Sequence, residues 1–188
     1  IQVSHITAPT GILFDIPAIR ALAKEHGIWF HVDGAQTAGM IPVNLGSMDC
    51  DSYATSGHKW MGGPRGTGIL YIKKDRLEDV ECSHVGGHSA PTYRLPDQID
   101  FVDGAKRHEY GTRNTELVEG LKVAIEFQER IGKARIESYG ATLATYLQEE
   151  LNEIPSIEIL TPSDPKMRRS ITTFKCSKIP FNTMTSRL

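Results

Sequence analysis

Short apolar segments separated by connections of helix length are the feature that most restricts how this chain can fold. Residues 28–32 form a brief, nearly all-apolar run, which is typical of a strand buried on both faces of a sheet. Residues 1–7, 52–56 and 69–72 are the other strand candidates in the first half of the chain. Strands that alternate with helix-length connections predict an α/β fold with a parallel-rich sheet.

The connection after the first strand candidate carries the signals of a helix. Asp15 suits an N-cap, Pro17 suits the first turn, and Gly27 suits a C-terminus at which φ is positive. Residues 76–115 have a weaker pattern and are rich in Gly, His and Pro. We therefore predict a long functional loop region there.

The second part of the chain has a different pattern. Two helical patterns, at residues 117–131 and 133–154, are interrupted near Gly132. Strand candidates follow at residues 157–160 and 170–174. This order predicts a separate unit of the α+β type.

The change of pattern divides the chain into two predicted domains. Residues 1–116 are predicted to be the C-terminal part of a large α/β domain. Residues 117–188 are predicted to be a linking helix and an incomplete, smaller α+β domain. Because the chain starts in mid-pattern and stops just after a strand candidate, we expect an internal fragment of a longer protein.

Composition excludes several classes of partner. Hydrophobic residues make up 39% and charged residues 23% of the chain, a balance that supports a packed core. The formal charge of −2 gives no electrostatic reason to expect nucleic acid. No apolar run approaches the roughly 20 residues that cross a bilayer, so we expect no membrane partner.

The cysteines and histidines predict neither disulfides nor a metal site. Cys50, Cys82 and Cys176 are far apart and form no Cys-x-x-Cys pair, and the histidines show no His-x-x-x-His spacing. A reducing cytoplasm therefore fits best. Cys50 is expected to be a buried small hydrophobe, and the other two have no activating cation at fixed spacing.

Two polar segments follow strand candidates and carry the chemistry. Asp33 stands at the carboxyl end of the strand at residues 28–32, where open α/β sheets bind ligands. Its alternative role is to cap the next helix. Lys59 lies beside a Gly-rich stretch and is either a held nucleophile or a solvated charge. Together they match pyridoxal 5′-phosphate (PLP), which needs a lysine for its Schiff base and an acidic partner for its pyridine nitrogen.

The order of these segments resembles the class V aminotransferase family of fold-type I PLP-dependent enzymes. The resemblance rests on His31-Val32-Asp33-Gly34-Ala35-Gln36, then Ser56-Gly57-His58-Lys59, a Gly-x-Gly stretch and a strand, and covers residues 1 to about 130. That family includes cysteine desulfurases, selenocysteine lyases, cysteine/cystine C–S lyases and isopenicillin-N epimerase-like proteins. The resemblance implies a fold-type I large domain with helices on both faces of its sheet.

The resemblance also implies roles for individual residues. Asp33 would pair with the pyridinium nitrogen, and Gln36 would hydrogen-bond the 3-hydroxyl of the ring. Ser56 and His58 would hold the phosphate. Lys59 would form the Schiff base and move the Cα proton.

A segment near the end of the loop region implies a homodimer. Gly111 and Thr112 resemble the Gly-Thr segment with which this family reaches the partner subunit's PLP phosphate. Thr112 is therefore a candidate cofactor ligand across a dimer interface. Its alternative is a place in a solvated, charged loop that ends in a helix cap.

The branch of the family decides the expected reaction. Ala8 stands where desulfurases have Asn, and residues 111–114 resemble the epimerase-like branch. The leading hypothesis is an enzyme that acts at Cα or Cβ of an amino acid through Lys59, in the epimerase-like or C–S lyase-like group. The alternatives are a cysteine desulfurase or selenocysteine lyase and, from another class, a non-catalytic α/β binding domain.

Overall fold

A four-stranded sheet forms the centre of the first part of the chain in the structure, a computed structural model that describes residues 1–94, 96–180 and 183. Strands β1, β2 and β3 are parallel neighbours, and β4 is antiparallel to β3. Helices accompany the sheet, which confirms the predicted α/β class. The strands are β1 (Gln2–Ser4), β2 (His31–Asp33), β3 (Ser52–Ser56) and β4 (Gly68–Ile72).

The first helix forms where its capping signals predict it. Helix α1 spans Ile16–Glu25, and the side chain of Asp15 accepts a hydrogen bond from the Ala18 N–H at 3.1 Å. Gly27 follows with φ of +61°, a backbone conformation that glycine adopts without steric cost. A short helix, α2, spans Leu45–Met48. One apolar cluster joins the sheet to both helices: Ile16, Ala23, Phe30, Val32, Met48, Cys50 and Tyr53.

Strand β2 differs from its prediction in start and in burial. It begins at His31 because the Ile28 N–H bonds back to the carbonyl of Ala23, which closes the end of α1. Phe30 and Val32 are fully buried, whereas His31 and Asp33 are half-buried. The prediction of burial on both faces is therefore wrong for this strand, since one face packs on the core and the other is partly open.

The predicted loop region at residues 76–115 contains regular structure. Strands β5 (Thr92–Arg94) and β6 (Gln98–Asp100) form an antiparallel pair. Short 3-10 helices span Lys74–Asp79 and Ala105–His108. The sequence pattern did not predict these elements because they are short and show little apolar periodicity. The helices have only one or two turns, and each strand has three residues.

Two helices and a strand pair make up the second part of the chain. Helix α3 spans Thr115–Ile131 and helix α4 spans Lys133–Asn152. Gly132 separates them with φ of +96°, as its position predicts. Strands β7 (Ile157–Ile159) and β8 (Phe174–Cys176) pair antiparallel.

The last strand is displaced from its predicted position at residues 170–174. The Thr173 N–H donates to the side-chain oxygen of Thr161, and its carbonyl accepts the Leu160 N–H. These bonds end the regular ladder, so pairing with β7 begins at Phe174. Residues 181, 182 and 184–188 of the predicted second domain lie outside the described part of the chain, and the two-domain division stays a prediction.

No helix in the described ranges is both long and apolar enough to span a membrane.

His5 follows β1 and is buried in the structure. It is 7% exposed, and its Nδ1 has no hydrogen-bond partner in the part of the chain described. Burial, with a smaller contribution from the Arg169 charge, lowers the pKa of His5 to about 4. The folded state thus binds its proton more weakly than the unfolded chain, in which a histidine has a pKa of about 6.5.

We predict that His5 makes the protein less stable in acid. The stabilising contribution is fully present above pH 6.5 and is lost as the pH falls from there toward 4, by up to about 3 kcal/mol. In urea unfolding from pH 4 to 8, the free energy of unfolding of His5→Gln should depend less on pH than that of the wild-type protein. His26→Gln, at an exposed position, should keep the wild-type slope. An unchanged slope in His5→Gln would contradict the prediction.

Candidate functional site

Asp33 ends β2 with its carboxylate at the carboxyl edge of the sheet. Its Oδ1 accepts the Ala35 N–H at 2.9 Å, and its Oδ2 lies 3.4 Å from the Ser4 hydroxyl oxygen. The first bond is typical of a turn that an aspartate side chain closes. The alternative role of Asp33 as the cap of the next helix is thus wrong, because Asp33 closes a turn after β2 and the next helix, α2, is capped by Asn44. Its half-buried carboxylate is held in one orientation with one oxygen only weakly bonded.

Gly34 lets the chain turn immediately above a buried tyrosine. A Cβ at Gly34 would overlap the ring and hydroxyl of Tyr53. Tyr53 is 2% exposed, and its hydroxyl has no partner among the described residues. Burial, with smaller contributions from Cys50 and Asp33, raises the pKa of Tyr53, so it is neutral at physiological pH.

Gln36 is bonded to the residue that follows Lys59. The indole Nε1 of Trp60 donates to Gln36 Oε1 at 2.8 Å. A Cβ at Gly39 would overlap the Trp60 backbone, so the turn after β2 lies directly against the Lys59 segment. The carbonyl oxygen of Gln36 accepts from Trp60, and the amide nitrogen Nε2 has no acceptor among the described residues, so it remains available as a donor.

The segment that carries Lys59 is a closed loop between β3 and β4. The Gly57 N–H donates to the carbonyl of Thr67 at 2.9 Å, and the Gly63 N–H donates to the Gly57 carbonyl at 2.8 Å. Side chains at Gly57 and Gly63 would collide with Thr67 and with Leu121 of α3, respectively. Leu121 was not predicted as part of the site, and the Gly-rich run is the only sequence signal of this packing.

Three predicted cofactor residues lie at the end of β3 and in the loop that follows it, and their side chains have no bonded partner in the described part of the chain. Ser56 is half-buried, and His58 and Lys59 are exposed. Within the described ranges, none of the three side chains forms a hydrogen bond or an ion pair. Their polar atoms are therefore available to a ligand at this edge of the sheet.

Thr112 is exposed in the segment between the 3-10 helix Ala105–His108 and α3. The helix cap expected nearby is Asn114, whose Oδ1 accepts the Leu117 N–H at 3.1 Å. The structure shows no contact that joins Thr112 to Asp33 or Lys59 in the described part of this single chain. The role of Thr112 across a dimer interface stays a prediction.

The residues present fit PLP in kind and in place. The parallel register sets Asp33 beside Ala54, and the chain continues from there through Ser56 to Lys59. A fixed carboxylate, an amide donor, short polar donors and an amine without a partner among the described residues therefore share one edge of the sheet. Among the described residues, no group of three or more His, Cys, Asp or Glu side chains could hold a metal ion.

This arrangement, in an α/β sheet, defines a candidate lysine-dependent cofactor site. The profile of the class V aminotransferase family matches residues 1–188. The chain belongs to that family, as the two polar segments predict.

Curated relatives and solved structures agree with this assignment. The cysteine desulfurase of Salmonella newport (strain SL254) is 34% identical over 163 residues, which are 87% of this chain and 40% of the relative. The chain therefore spans less than half the length of that relative, in agreement with the expected fragment. The apo cysteine desulfurase of Thermococcus onnurineus NA1 superposes with a TM-score of 0.92 at 30% identity, over 98% of this chain and 46% of its own.

A third relative carries the cofactor. A variant of C-DES with glycine covalently linked to its PLP cofactor superposes with a TM-score of 0.89 at 28% identity. The match covers 100% of this chain and 50% of that one. Together with the family match, it confirms the PLP prediction at the level of the family.

We predict that Gly34→Ala destabilises the protein through the collision with Tyr53. The ring is enclosed in the core, so the backbone of the turn must shift at a cost of about 1–3 kcal/mol. Urea denaturation should show a lower midpoint. Gly87→Ala is the matched control, because nothing lies within 4 Å of a Cβ at that position. Equal midpoints for the two variants would refute the prediction.

Proposed function

We propose that the protein containing this chain is a PLP-dependent enzyme that acts at Cα and Cβ of a sulfur-containing amino acid. The amine of Lys59 lies at the same sheet edge as Asp33 and Gln36 and has no partner in the described part of the chain, and this observation carries the proposal. Support for the sulfur-containing substrate comes from relatives described as cysteine desulfurases and from C-DES, described as a cystine C–S lyase.

Lys59 and Asp33 would have different roles in the chemistry at the substrate Cα. PLP, when bound, withdraws electrons from the substrate Cα. Lys59 Nζ would hold the cofactor and then take the Cα proton, since no described residue pairs with it and it follows the fixed end of β3. Asp33, oriented by the Ala35 N–H, would keep a proton on the ring nitrogen.

The remaining predicted site residues would orient the cofactor ring and anchor its phosphate. Gln36 would donate from Nε2 to the ring oxygen, because Trp60 occupies its Oε1. Ser56 and His58 would donate to the phosphate, for which short polar donors are suited.

The first test is the covalent link to Lys59. We expect full-length protein to show a visible absorption band that borohydride removes, with PLP then attached to the peptide that contains Lys59. Lys59→Ala should lose the band, and Lys74→Ala, at an exposed position in a 3-10 helix, should keep it. A colourless full-length protein that takes up no PLP would favour the non-catalytic binding domain instead.

Product analysis separates the possible reactions. With cysteine, desulfuration yields alanine and sulfane sulfur, whereas β-elimination yields pyruvate, ammonia and sulfide. An epimerase-like enzyme would convert the Cα configuration and leave the Cβ bond intact. Ala8 at the Asn position of desulfurases favours β-elimination or epimerisation over desulfuration.

We predict that Trp60 positions Gln36 for its role at the cofactor ring. Trp60→Phe removes the 2.8 Å hydrogen bond, so kcat/KM should fall about fivefold, with a changed pH dependence of the visible band. Trp29→Phe, which removes a bond to Ser52, is the control and should change neither. In a Gln36→Leu background, Trp60→Phe should have no further effect. Additive effects of the two substitutions would contradict the prediction.

We also propose a homodimer in which Thr112 contacts the cofactor phosphate of the partner subunit. The side chain of Thr112 is exposed and has no partner within the described ranges, which is consistent with such a role. A location in the cytoplasm remains a prediction.

A further inference from the structure

Cys82 lies outside the candidate cofactor site and contacts a histidine. Its Sγ is 3.7 Å from His108 Nδ1 and 3.5 Å from the carbonyl oxygen of Arg107. Cys82 is half-buried and follows the 3-10 helix Lys74–Asp79, whereas His108 ends the 3-10 helix Ala105–His108. The fold therefore brings an imidazole to Cys82 that no fixed sequence spacing predicts.

Two basic residues, His108 and Arg107, lie next to this sulfur. His108 contacts the sulfur through Nδ1. Its other ring nitrogen, Nε2, is buried without a partner in the described ranges. The Arg107 guanidinium, paired with Glu78 at 2.8 Å, adds an electrostatic attraction to Cys82. The Asp103 carboxylate also attracts the Arg107 guanidinium electrostatically.

The other two cysteines have different surroundings. Cys50 is fully buried, and burial raises the pKa of its thiol. Cys176 lies 3.8 Å from the Ser156 hydroxyl, and the backbone at Lys178 lowers its pKa. Of the three thiols, Cys82 is the one that the described structure pairs with an imidazole.

We propose that Cys82 and His108 form a thiol–imidazole pair that makes Cys82 a modification site for low-molecular-weight disulfides. His108 Nδ1 accepts the thiol proton, and Sγ attacks one sulfur of the disulfide. A new S–S bond to Cys82 forms as the old S–S bond breaks, and the second sulfur leaves as a thiolate that takes up a proton. Cys82 is thereby oxidised to a mixed disulfide, and half of the reagent is reduced to a thiol.

This modification changes the segment that precedes Thr112. A substituent on Sγ displaces the contacts with Arg107 and His108 in the 3-10 helix Ala105–His108. That helix leads through residues 109–111 to Thr112.

The test uses full-length protein, oxidised glutathione and iodoacetamide. Peptide mass spectrometry gives the rate of modification at each cysteine from pH 5 to 9. An isolated thiol is only about 1% thiolate at pH 6.5. An imidazolium partner raises that fraction but lowers intrinsic nucleophilicity, so we expect His108→Gln to slow modification of Cys82 about fivefold at this pH. The matched control is His84→Gln, because His84 stacks on Tyr110 in the same region; it should leave the rate unchanged.

Three results would overturn the proposal: no modification at Cys82, equal rates in the wild-type protein and His108→Gln, or equal slowing by His84→Gln. If His108→Gln fails to fold, the wild-type pH profile decides. A rate that is nearly constant between pH 7 and 9 supports the pair, and a rate that rises tenfold per pH unit up to about pH 8.5 excludes it.

Discussion

The parallel hydrogen-bonded register of β1, β2 and β3 is the constraint on which the candidate site depends. Ser4 pairs with Asp33, and Asp33 pairs with Ala54. Because parallel strands end at the same edge, three sequence segments separated by helices deliver their polar residues to one place. A shift of β2 by a single residue would turn Asp33 to the opposite face and bury a charge in the cluster around Val32.

Close backbone approach is the second requirement of the site. Gly34 passes over the Tyr53 ring, and Gly39 lies against the Trp60 backbone. Side chains at these positions would separate the turn after β2 from the Lys59 loop, and the bond between Gln36 and Trp60 would be lost. The glycines thus act through the spacing of two loops, and the polar residues depend on that spacing for their orientation.

The sequence predicts what periodicity and local chemistry determine, and fails where tertiary contacts decide. The α/β class, helix α1 and the break at Gly132 follow from apolar patterning, capping residues and the conformational freedom of glycine. The position of β8 cannot be predicted in this way, because the hydrogen bond between Thr173 and Thr161 ends the strand ladder. The contact of Cys82 with His108 spans 26 residues without a regular spacing, so only the folded chain brings them together.

The candidate site has one part held by internal bonds and one part left free. Asp33 and Gln36 already have partners that orient them, so these side chains would lose little entropy on binding the proposed cofactor. Lys59 differs, since an ion pair with a carboxylate would hold its amine as ammonium and so block the lone pair that its proposed role requires. No described residue forms such a pair. Fixed orientation suits groups that bind the ring, and freedom from competing partners suits the group that forms and breaks bonds.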